Sequence, residues 1–84
     1  MPTPNEVRDY LVVLIKIFEK TPSHQSVVFN DDRIEKQTQW SSRKVKAVRE
    51  MCLSSGWLRF ENGGSRDYSL TPEGLESARK ARRG

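Results

Sequence analysis

The sequence predicts an α+β domain that is mainly helical, and three observations carry that expectation. Apolar residues recur at spacings of three and four over residues 4–20 and again over 41–55, the period of a helix with one face turned to a core. After Gly56 the period changes: Trp57, Leu58 and Phe60 are interleaved with Arg59 and Glu61, and Asn62, Gly63 and Gly64 follow as a turn. The pair Thr3 and Pro4 is repeated by Thr71 and Pro72, in each case a hydroxyl cap followed by a proline preset for the first helical turn. A chain of 84 residues fits a single domain, 1–84, with one small core.

The first helix opens on a capping box, in which the Thr3 hydroxyl and the Glu6 carboxylate each satisfy a backbone donor. It is expected to run to about Lys20, with Val7, Leu11, Leu14 and Phe18 on the core face. Val12, Val13, Ile15 and Ile17 lie beside that stripe, so the middle of the helix is apolar around nearly its whole circumference. Two readings stay open: a helix sunk in the middle of the domain, or a homodimer interface formed by helix 4–20.

Residues 26–29 hold the adjacent β-branched pair Val27 and Val28 and predict a brief strand. Asn30 then caps a short second helix, with Asp31 and Asp32 at the positive end of its dipole and Ile34 and Thr38 turned inward. Gln39 and Trp40 make a tight turn before Ser41 caps a third helix, whose core face is Val45, Val48 and Cys52. Arg43, Lys46, Ala47 and Glu50 share the opposite face. The hairpin that follows returns over 67–70, with Tyr68 and Leu70 inward and Ser65 and Arg66 near its tip. The last helix runs through Glu73, Leu75 and Ala78, and residues 79–84 are expected to fray as a basic tail.

Composition narrows the function. With 35% hydrophobic and 31% charged residues the chain has few large side chains to spare, so Trp40, Trp57, Phe60 and Tyr68 are expected in the core and not as stacking platforms. The longest apolar run, residues 11–15, falls far short of the roughly 18 needed to span a membrane. With no basic-then-apolar leader either, a cytoplasmic protein without a membrane partner is expected. Cys52 and His24 are each the only residue of their kind and have no ligand-spaced companions, which predicts no metal, no cofactor and no internal disulfide. No phosphate-binding glycine loop or nucleophile setting is present, so no catalytic residues are assigned and no enzymatic activity is expected. Charge is uneven: residues 1–40 hold five Lys and Arg against six Asp and Glu, whereas residues 41–84 hold ten against five. The basic half should face a polyanion, and duplex DNA is the densest common one.

The stretch RIEKQTQWSSRKVKAVREMCLSSGWL resembles the winged helix-turn-helix family, with Ile34, Trp40, Val45 and Val48 at the apolar positions of the helix-turn-helix. Gly56, Trp57 and Leu58 lead into the wing, and YSLTPEG at residues 68–74 looks like the segment that closes the wing in many bacterial and archaeal regulators. The resemblance covers nearly the whole chain. One departure is Gln39, which stands where the helix-turn-helix often has glycine.

The resemblance implies a double-stranded DNA-binding protein, most simply a small transcriptional regulator, whose third helix enters the major groove while the wing over 61–67 contacts the backbone. A rod of fifteen residues is about 22 Å long, and the major groove, about 12 Å wide, admits an α-helix. Ser41, Ser42 and the free donors of the helix N-terminus would bind a phosphate, with Lys44 on the flank. Arg43 would read guanine through two hydrogen bonds, helped by Lys46, with Ala47 suited to a thymine methyl and Glu50 to a cytosine amino group. Arg66 is the expected wing contact, with Arg59 and the basic tail as auxiliaries. No small-molecule ligand is implied. The rival is a protein-binding winged-helix adaptor, or a subunit of a replication or nucleic-acid-processing complex, docking through the apolar first helix.

Overall fold

The computed structural model describes residues 2–21, 27–61 and 67–83. Along the chain come α1 (Pro4–Lys20), β1 (Phe29–Asn30), α2 (Asp31–Thr38), α3 (Ser42–Ser54), β2 (Leu58–Phe60), β3 (Asp67–Leu70) and α4 (Pro72–Arg83). The protein is thus α+β and mostly helical, with one antiparallel sheet ordered β1-β3-β2.

Local chemistry sets the helix ends. The capping box at α1 is complete, the Glu6 amide donating to Thr3 Oγ1 at 3.2 Å and the Thr3 amide to Glu6 Oε1 at 2.9 Å. Asn30 Oδ1 accepts from the Arg33 amide at the start of α2, and Ser41 Oγ from the Lys44 amide at the start of α3. At the end of α3, the Gly56 amide donates to the Leu53 carbonyl and the Trp57 amide to the Cys52 carbonyl, while Gly56 takes a φ of 78°. This is a Schellman closure, and it needs the left-handed backbone that glycine adopts without a Cβ penalty.

The core is shared by all elements. Tyr10, Leu14 and Ile15 of α1 are fully buried, together with Phe29, Ile34, Val45, Val48, Cys52, Tyr68 and Ala78. Trp40 and Trp57 are half-buried against it. Ile15 and Ile17, which lie off the predicted stripe, are buried by the chain itself, while Val12 and Val13 beside them stay half-buried. α4 packs along α1 and supplies much of that cover. Among the described residues no helix is long and apolar enough to cross a membrane.

Four expectations are corrected. The strand predicted over 26–29 is β1, Phe29–Asn30, because its partner β3 offers pairing only at Phe29↔Tyr68 and Asn30↔Asp67; Ser26 lies outside the described residues. Of the tail expected to fray, residues 79–83 continue α4 to Arg83, with half-buried Ala81 and an ion pair between Arg82 and Glu19 of α1, while Gly84 lies outside the described residues. Phe60 is 37% exposed, since β2 runs past the edge of the core, although its ring meets Tyr68 edge-on at 6.5 Å. Leu70 is only half-buried, and Ser69 between it and Tyr68 is buried, its hydroxyl donating to Glu61 Oε1 at 2.8 Å. The turn over 62–64 and the residues Ser65, Arg66 and His24 lie outside the described residues.

Candidate nucleic-acid interface

The surface of α3 follows from its burial pattern. Val45, Val48 and Cys52 fix the inner face, so Arg43, Lys46, Ala47 and Glu50, three or four residues apart, emerge together on the outer one, and all four are exposed. Among the described residues neither Arg43 nor Lys46 joins an ion pair. Their charges are therefore available to an external anion. Beside them a shallow groove of about 250 Å³ is lined by Arg43, Ala47, Ser41, Lys44, Glu6 and Pro2, among others.

The flanking residues are more committed. Lys44 Nζ lies 3.1 Å from Glu6 Oε2 and 4.4 Å from the centre of the Trp40 ring, tying α3 to α1 and to the turn before it. The Thr3 amide and the Lys44 ammonium together hold the Glu6 carboxyl below its usual range. Ser41 spends its hydroxyl on capping, whereas Ser42 is exposed at the first turn. Arg59 is exposed on β2, but strand alternation puts it on the sheet face opposite Leu58 and Phe60. Phe60 is the residue that meets α3, its ring 5.9 Å from the Arg49 guanidinium. Arg59 is thus separate from the Arg43 and Lys46 cluster.

A buried polar chain beneath α3 is not foreshadowed by the sequence pattern. The Tyr10 hydroxyl donates to the Tyr68 hydroxyl at 3.0 Å, and Tyr68 in turn donates to Asp31 Oδ1 at 3.0 Å. The other oxygen of Asp31 accepts from Arg49, which also reaches Glu50 Oε1 at 3.0 Å. Arg49 is only 8% exposed and leaves its Nε without a hydrogen-bond partner. These bonds join α1, β3, α2 and α3. They tie α3 to the other three elements, and Arg49 pairs with Glu50 on the outer face. The one hint in the sequence is Tyr10, which falls between the apolar residues Val7 and Leu11 on the same helical face.

The α2–α3 turn answers the departure at position 39. Gln39 sits in the left-handed region with φ 60° and ψ 23°, its amide donating to the Glu35 carbonyl at 2.7 Å. The position does call for the backbone that glycine favours, and glutamine adopts it. The chain matches no family model, no curated protein and no solved structure. Cys52 is buried, and burial pushes its thiol up to about 12. Among the described residues no group of three or more His, Cys, Asp or Glu is arranged to hold a metal ion.

Proposed function

We propose that the chain is a winged-helix module that binds double-stranded DNA through α3, without catalytic activity, and serves as a small transcriptional regulator. The observation that carries this reading is the outer face of α3, where Arg43 and Lys46 stand exposed without ion-pair partners beside Ala47 and Glu50. Three further features support it. The element order and the β1-β3-β2 sheet are those expected of a helix-turn-helix followed by a two-stranded wing. The first turn of α3 leaves backbone donors next to exposed Ser42, apart from the Lys44 amide that Ser41 caps. The half of the chain from residue 41 carries ten basic against five acidic residues.

In this reading Arg43 and Lys46 read base edges, Ser42 and the first-turn amides bind a phosphate, and Lys44 acts mainly by bracing α3 against α1. Arg66 remains the wing contact on sequence grounds, with Arg59 reaching the backbone only at the far edge of the sheet. The test is an amide chemical-shift titration with a short random-sequence duplex. Shifts centred on residues 42–50 support the assignment; shifts absent from α3, or no saturable change at low salt, contradict it. The rival adaptor role is favoured by one observation, an apolar groove between α1, α3 and α4.

A further inference from the structure

We infer that the groove between α1, α3 and α4 is a docking site for an acidic amphipathic helix of a partner protein. It has a volume of about 560 Å³ and runs between three helices. Val7 and Leu11 of α1, Met51 of α3 and Trp57 after the Schellman closure form its floor. Met51 and Trp57 stay half-buried although they pack against the core, so among the described residues apolar surface is left here without its own cover.

Charge selects the occupant. Among the described residues, Arg8 on α1 and Lys80 on α4 are the charged ones that line the groove, and no carboxylate does. Each has a carboxylate neighbour, Asp9 at 3.9 Å and Glu76 at 3.3 Å, but neither acid is among the lining residues, and all four side chains are at least half exposed. Exposed pairs of this kind are weak and are readily exchanged for a new partner. The groove is open to solvent, bordered by helices and apolar along its floor. It suits a helix laying residues at i, i+4 and i+7 along the floor with carboxylates on its flanks. Arg43, Lys46, Ala47 and Glu50 do not line it, and Arg43 and Ala47 belong instead to the small groove beside Ser41. The site therefore stands independently of the DNA-binding proposal.

The test uses the full chain and two synthetic helical peptides of about 14 residues, both with Leu at i, i+4 and i+7 but flanked either by Glu or by Lys. The Glu peptide is expected to shift the amides of Val7, Leu11, Met51, Trp57 and Lys80 and to bind about tenfold more tightly than the Lys peptide. In R8Q/K80Q, which alters only exposed side chains, that preference should disappear while the fold, read by circular dichroism and thermal unfolding, persists. Equal binding of the two peptides, shifts located elsewhere, or no binding would overturn the inference. So would octanoate moving the same amides while the peptides do not, or a concentration-dependent dimer that protects the groove in sedimentation.

Discussion

A single hydroxyl decides more in the buried chain beneath α3 than its size suggests. Tyr68 both accepts from Tyr10 and donates to Asp31, so Tyr68→Phe strands the buried Tyr10 hydroxyl and a half-buried Asp31 oxygen and should cost about 1–3 kcal/mol, whereas Tyr10→Phe removes only a terminal donor and should cost about 1 kcal/mol. Urea unfolding of the two variants measures the difference, and equal costs would show that the chain is not a connected unit. Burial is the main cause that holds both phenols protonated well above the usual tyrosine range. A group with a raised folded value stabilises fully below its unfolded value. The contribution of this pair is thus intact below about pH 10 and declines as the pH rises further. Stability measured between pH 8 and 11 should fall less steeply in Tyr10→Phe than in the natural chain. Cys52 follows the same sign, with the folded thiol pushed up to about 12. It should resist thiol reagents at pH 8 until the protein unfolds, and prompt reaction in the folded state would contradict its burial.

At the scale of elements, two backbone positions test how the helices are joined. A Cβ built on Gly74 in the first turn of α4 would lie 2.7 Å from the Trp57 carbonyl carbon and 2.9 Å from its Cα, backbone atoms that cannot step aside. Gly74→Ala should therefore destabilise by about 3 kcal/mol or more, although alanine is the better helix former. Gln39→Gly should do the reverse, stabilising by about 0.5–1 kcal/mol, because it relieves a left-handed non-glycine residue at the end of α2. Thermal unfolding reads both, and a loss of stability in Gln39→Gly would mean that the glutamine side chain contributes to the turn. These junctions mark what the sequence could and could not disclose. Caps were legible because Thr3, Asn30, Ser41 and Thr71 act on amides three residues away, within reach of local pattern. The inner face of α3 was legible for the same reason. The ending of β1 was not, since a two-residue strand is set by its partner β3, distant in sequence. Nor was the persistence of α4, since Arg82 is held by Glu19 of α1, far away along the chain.

For the whole molecule, the apolar girdle of α1 and the basic surface of α3 have different consequences. Most of the girdle is buried by α4 and the core within one chain, while Val12 and Val13 stay half-buried. The exposed cations of α3 have no such internal explanation. Legibility of the candidate site divides along the same line. Periodicity alone brings Arg43, Lys46, Ala47 and Glu50 to one face, but the ties of Lys44 to Glu6 and of Arg49 to Asp31 are tertiary and leave no local trace. The central claim is that this face binds duplex DNA. The measurement that tests it most directly is fluorescence anisotropy of a labelled random-sequence duplex over a salt series, comparing the natural chain with R43A/K46A. Binding should weaken steeply with salt, and the folded double variant should bind at least tenfold more weakly with a shallower salt slope, by about one for each phosphate it no longer neutralises. Superimposable curves for the two proteins, or no binding at low salt, would contradict the claim.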